Sequence, residues 1–148
     1  MSSRLAPLRK ATIGLLIFLG IGAIGGGLAL MAGPNGEILP LPLSALAGSP
    51  FTSYFAPGAI LFAVLGLGPL CVAVLAWRHN PAAPVLTLLV GGALLVWIVV
   101  EIAIIGYSNN PPLQAVYLAL GVAIAMAGIG RMRASPARPG ARVSRSSS

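Results

Sequence analysis

Residues 84–106 read PVLTLLVGGALLVWIVVEIAIIG. Apart from Thr87, Trp97 and Glu101, no side chain in this run carries a hydrogen-bonding group. A helix needs about 20 consecutive apolar residues to cross a hydrocarbon core of about 30 Å, and this run is long enough. A surface helix of a water-soluble protein keeps a charged or polar face opposite its apolar stripe. This segment has no such face, so it reads as a helix whose solvent is lipid.

The same reading extends in both directions. Before it, Arg78-His79-Asn80-Pro81 makes a short turn after a second apolar segment over residues 58–77. Pro69 lies inside that segment and is expected to kink it, because proline lacks a backbone donor and its ring clashes with the preceding turn. Beyond residue 106, Tyr107-Ser108-Asn109-Asn110-Pro111-Pro112 is rich in turn formers. A fourth segment follows over 113–130. The connection is short, so segments three and four form an antiparallel pair. A first segment covers 11–32. Arg4, Arg9 and Lys10 precede it in the manner of a signal peptide, but it exceeds the usual h-region of about 7–15 residues. It also ends in Leu28-Ala29-Leu30-Met31-Ala32, without an A-x-A-like cleavage site. A retained helix is expected.

Composition agrees. The 148 residues are 57% hydrophobic and 7% charged, with a mean hydropathy of +0.97. Soluble domains carry about 25% charged residues. The expected fold is all-α, an integral membrane four-helix bundle. Residues 1–10 form a basic arm, 11–130 the transmembrane domain, and 131–148 a disordered tail rich in Arg and Ser.

The connection over residues 33–57 is long and unusually apolar. Ser49-Pro50 resembles an N-cap followed by proline at the first helical position. A short interfacial helix over 50–55 is therefore expected, serving as a hydrophobic cap or as a lid or partner-docking surface.

The nine Lys and Arg residues all fall in the N-terminal arm, the 78–83 turn or the tail. The other two connections contain none. The positive-inside rule places both termini in the cytoplasm. The formal charge of +7 follows from these topology signals, and nucleic acid is not an expected partner. The tail can attract anionic lipid headgroups. Cys71 and His79 are each the sole residue of their type and complete no disulfide, redox pair or metal site. No metal or cofactor is expected.

Helix association in lipid relies on small residues that allow close approach. Gly22 and Gly26 form a GxxxG pair in the first segment. Gly66 serves the second and Gly91 and Gly92 the third. Ala119, Ala123 and Ala127 form a ridge on the fourth. These rows serve packing within one bundle, with a homodimer or larger membrane complex left open.

Glu101 is the one acid inside an apolar segment. It lies about six residues before Tyr107, roughly 9 Å below the outer boundary at 1.5 Å per residue. An intramembrane ionisable residue is a functional hypothesis by default. In a hairpin centred near Asn109, Tyr117 lies about as far after the turn as Glu101 lies before it, and Gln114 is one turn nearer the surface. The Tyr117 hydroxyl and the Gln114 amide can both donate to a carboxylate, and Trp97 is a further neighbour. No Lys or Arg shares this depth. Such an acid fixes helix register or handles a proton or cation, and the residues fit either role.

From the first outer loop onward, the sequence resembles small, uncharacterised bacterial membrane proteins with four helices. The likeness rests on Leu39-Pro40-Leu41-Pro42-Leu43-Ser44, on Ser49-Pro50-Phe51-Thr52-Ser53-Tyr54-Phe55-Ala56-Pro57-Gly58, on Trp97-Ile98-Val99-Val100-Glu101 and on Gln114-Ala115-Val116-Tyr117. It implies a bacterial cytoplasmic membrane location and carries no activity. The small multidrug resistance exporters are also short four-helix proteins with one membrane-embedded Glu, but their acid is on the first helix rather than the third. What transfers is the physical idea that one buried acid can exchange a proton for a cation.

No catalytic constellation, metal set or phosphate loop is present. The expected role is non-enzymatic, as an accessory or structural subunit. The alternative is a small proton-coupled transporter that uses Glu101 and acts as a dimer.

Overall fold

The computed structural model describes residues 2–109 and 112–134. Four helices form a bundle: α1 (Ser2–Ala32), α2 (Phe55–Trp77), α3 (Ala83–Ile105) and α4 (Leu113–Ala134). All four are long and apolar enough to cross a membrane. By helix length and composition the chain is an integral, multi-pass membrane protein with four spans. Its lipid-facing surface displays large apolar side chains such as Phe18, Leu89 and Met126. α4 continues to Ala134, past residue 131, where the tail is expected to start. Residues 135–148, where disorder and lipid attraction are expected, lie outside the described residues.

The bundle consists of two helical pairs. α1 lies along α2, and α3 lies along α4. The pairs meet through α1 against α4 and α2 against α3. Leu16, Leu19, Leu65, Leu94 and Ile124 fill the centre. Two buried hydroxyls are satisfied within their own helices: Thr12 donates to the Leu8 carbonyl and Thr87 to the Ala83 carbonyl, each at 2.7 Å. This bond to the carbonyl four residues back removes the cost of an unpaired polar group in the interior.

The close approaches use Gly66 and Gly91 as expected, but different small residues on α1 and α4. A Cβ on Gly27 would sit 2.7 Å from the Gly58 carbonyl oxygen, and one on Gly20 would sit 2.9 Å from that of Gly66. The α1–α2 contact therefore runs along Gly20 and Gly27. Gly22 instead faces Tyr117, and Gly26 has only ordinary contact with Leu61. On α4 the tight row is Gly121, Ala125 and Gly128, pressed against Gly91, Leu95 and Leu88 of α3. Ala119 and Ala123 are exposed, and Gly92 has open space beside it. The three alanines form a row on α4, but most of that row faces outward.

Pro69 acts through a widened turn. Residues Leu61–Leu67 of α2 adopt π-helical geometry, and the Gly68 N–H donates to the Ala63 carbonyl five residues back. Proline has no N–H for the usual bond to residue 65, and its ring crowds that carbonyl. Insertion of such a stretch relieves the clash without ending the helix.

The loop between α1 and α2 is folded. Its only helical turn is a 3-10 segment over Leu43–Leu46. The expected helix over 50–55 does not form, and α2 begins at Phe55. The Ser49 hydroxyl donates to the Leu46 carbonyl at 2.8 Å and accepts from the Phe51 N–H at 3.3 Å. Its side chain therefore closes a local turn instead of capping a helix. Tyr54 is 4% exposed, and its hydroxyl donates to the Pro42 carbonyl at 2.9 Å. Leu30, Leu46 and Tyr54 form a small second core with Leu39, Leu41, Phe51 and Ile104 around it. The loop is a packed cap over one end of the bundle.

Candidate functional site

The short turn between α3 and α4 brings Glu101, Gln114 and Trp97 together. Gly106 ends α3 with φ +80°, a left-handed conformation suited to glycine, and its N–H donates to the Ile102 carbonyl at 2.9 Å. The chain then turns back, so the start of α4 faces the last turns of α3.

Trp97 and Glu101 are four residues apart on α3 and share one face. The indole N–H of Trp97 donates to Glu101 Oε2 at 3.2 Å. From α4, Gln114 Nε2 donates to Glu101 Oε1 at 3.2 Å. Each carboxylate oxygen thus accepts one side-chain hydrogen bond. Glu101 itself is half-buried.

Gln114 is the hub. It is 5% exposed, and its Nε2 also donates to the Gly106 carbonyl at 3.1 Å. Its Oε1 accepts from the Ser108 N–H at 2.9 Å. The amide orientation is consistent throughout, since the NH₂ group faces two acceptors and the carbonyl faces a donor. One side chain on α4 therefore ties the α3 acid, the α3 C-terminus and the following turn.

Tyr117 does not join this group. It packs toward α1, where a Cβ on Gly22 would fall 2.7 Å from its hydroxyl. The α3–α4 glycine row sets the rotation of α4, and that rotation turns Tyr117 toward the bundle centre while Gln114 faces Glu101.

At the opposite end lies a group that sequence reasoning leaves unassigned. Arg9 Nη1 lies 2.8 Å from His79 Nε2 and donates to the Trp77 carbonyl at 3.3 Å. His79 has φ +57°. Histidine is among the residues that enter the left-handed region most readily after glycine, and nothing in the local sequence marks the pair. Cys71 faces outward as a free thiol. Among the described residues no cluster of His, Cys, Asp and Glu could hold a metal ion.

Compared with known proteins, the chain matches no family model, no curated protein and no solved structure.

Proposed function

We propose that this chain is a non-enzymatic integral membrane protein, an accessory or structural subunit, in which Glu101 acts as an interhelical staple. The observation that carries this reading is that both carboxylate oxygens and the whole amide of the partner are engaged. Both Glu101 oxygens accept hydrogen bonds, and Gln114 uses its whole amide on the acid and the adjoining turn. A transport acid must exchange its proton with water or a substrate cation, and these bonds would have to break in each cycle. Bonds of this kind in a bilayer average about 0.6 kcal/mol. They suit a permanent clasp that fixes α3 against α4.

Charge supports an orientation. Arg4, Arg9, Lys10, Arg78, Arg131 and Arg133 occupy the end where α1 begins, α2 ends and α4 finishes, while Glu37 and Glu101 lie toward the other. The positive-inside rule assigns the basic end to the cytoplasm. The likeness to small bacterial four-helix proteins supports a bacterial cytoplasmic membrane, where the chain joins a homodimer or larger membrane complex.

The test is current across proteoliposomes under a pH step and a panel of small cations, with wild type compared with Glu101→Gln. No current from either folded protein is the expected result. A wild-type current that disappears in the variant would replace the staple with the alternative, proton-coupled transport through Glu101.

A further inference from the structure

The geometry points to a binding site for the phosphate of one anionic phospholipid in the cleft between Arg9, Lys10, Ile13 and Trp77, at the basic end of the bundle. This site is independent of the role of Glu101. The cleft has a volume of about 240 Å³ and opens at the surface between α1 and the end of α2.

Its lining combines the two chemistries of a lipid. Arg9 and Lys10 supply positive charge, and a guanidinium recognises phosphate oxygens through its planar fork of donors. Ile13 lies one turn further along α1 toward the bilayer, where the first acyl carbons would run. Trp77 ends α2 and is 73% exposed. A tryptophan in this position belongs at headgroup level, with an apolar ring and a polar N–H. Both described acids, Glu37 and Glu101, lie toward the other end, so neither carboxylate competes for these cations.

Arg9 is prepositioned. Among the described residues, its hydrogen bonds are made by Nη1, to the Trp77 carbonyl and His79 Nε2. Nε and Nη2 have no partner among the described residues, and Arg9 lines the cleft. Accepting from a guanidinium requires an unprotonated Nε2 on His79.

The backbone at His79 bears on the same contact. The Asn80 N–H donates to the Leu75 carbonyl at 2.9 Å, and the His79 N–H donates to that of Ala76 at 3.2 Å. This is a Schellman ending of α2, with His79 at the left-handed position where glycine is favoured. The chain carries an imidazole there, and the imidazole holds Arg9. A side chain that orients the cation stands where glycine would be favoured, and non-glycine residues in the left-handed region occur at ligand clamps.

The test is lipid retention by the full chain in an uncharged detergent. The protein is titrated with phosphatidylglycerol or phosphatidylcholine and bound lipid is read by native mass spectrometry. Wild type should prefer phosphatidylglycerol and hold one molecule tightly. Arg9→Gln with Lys10→Gln should reduce that preference about thirtyfold, at about fivefold per charge near a membrane surface. Arg4→Gln with Arg133→Gln removes the same charge at the same end but outside the cleft, and should leave the preference intact. Equal loss in the two double variants would reduce the effect to diffuse attraction and overturn the site. Displacement of the lipid by an equal concentration of inorganic phosphate would overturn the lipid assignment in favour of a soluble ion. His79→Gly covers the case in which the first variant does not fold. It relaxes the backbone and releases Arg9, so it should fold at least as well as wild type yet lose preference. Full preference in folded His79→Gly would overturn the prepositioning of Arg9.

Discussion

The two ends of this bundle handle polar chemistry in opposite ways. At the loop end, polar groups satisfy one another: Glu101 with Trp97 and Gln114, Gln114 with the α3–α4 turn, and Tyr54 with Pro42. At the basic end, Arg9 is fixed through one nitrogen and lines an open cleft with Lys10. A polar group in a bilayer must find a partner, because water is absent and an unpaired group costs several kcal/mol. The loop end finds its partners inside the chain. The basic end leaves an open cleft lined by Arg9 and Lys10, where the proposed lipid phosphate would be the partner. On the proposals above, one end serves stability and the other contact.

The most severe test of the loop end removes its hub. Gln114→Ala deletes three hydrogen bonds from a nearly inaccessible position. At about 0.6 kcal/mol per bond in a bilayer, the expected loss is about 2 kcal/mol. Reversible unfolding in mixed micelles measures it. Glu101→Gln keeps the shape and the acceptor oxygen facing Gln114, so it should cost about 0.5 kcal/mol. If Glu101→Gln proved the more damaging change, the acid rather than the amide would be the hub, and the contrast between the ends would weaken.

Tyr54→Phe probes the cap at smaller scale. The variant leaves the Pro42 carbonyl without its donor, for an expected loss of about 1 kcal/mol. Burial raises the Tyr54 pKa above that of a free tyrosine. The neutral phenol is thus favoured by folding, and its contribution is complete below a pH of about 10 and is lost as pH rises beyond it. Wild type should therefore lose stability at alkaline pH to a greater degree than Tyr54→Phe. Parallel alkaline curves would show that the hydroxyl does not secure the cap.

Much of this arrangement can be read from the sequence. Uninterrupted apolar runs give the four helices, and the short turn after residue 106 makes α3 and α4 antiparallel. The four-residue step from Trp97 to Glu101 and the position of Gln114 just beyond the turn put their side chains within reach. What sequence cannot supply is helix rotation. Tyr117 has a suitable depth for Glu101 but faces Gly22, because the contact of Gly121 and Gly128 with α3 fixes which side of α4 looks where. Glycine spacing does not distinguish a row that touches a neighbour from one that faces lipid, so Gly20 and Gly27 are hidden behind the more familiar Gly22–Gly26 pattern. The Ser49-Pro50 pair is equally ambiguous, since a serine hydroxyl closes a turn as readily as it caps a helix. The Arg9–His79 contact spans residues distant in sequence and leaves no local periodicity.

His79→Gly sharpens the comparison from the basic end. Glycine relieves the left-handed backbone by about 1 kcal/mol, and loss of the bond to Arg9 offsets part of that gain. The expected net effect is a stabilisation of about 0.5 kcal/mol in lipid-free micelles. A clear destabilisation would mean that the Arg9 contact holds the bundle together, making the two ends alike.

The smallest effect is expected at Glu37, in the turn after α1. Its own backbone N–H and then the Asn35 side chain stabilise the carboxylate and lower its pKa, with the Asn35 N–H adding to them against a small opposing effect of burial. The Asn35 Nδ2 donates at 3.0 Å and its N–H at 3.1 Å. Because the folded pKa is depressed, the contribution is present above the unfolded value and disappears as pH falls through the folded one. The group is fully exposed, so solvent screening keeps its effect local to the turn. A carboxyl-carbon NMR titration should give Glu37 a midpoint below the ordinary glutamate range, and Asn35→Ala should move it upward while global unfolding stays unchanged. An unmoved midpoint would leave the backbone N–H groups as sufficient cause. A fall in global stability would make this turn part of the cap's structural core, and the self-satisfied end of the molecule would then reach the outermost loop.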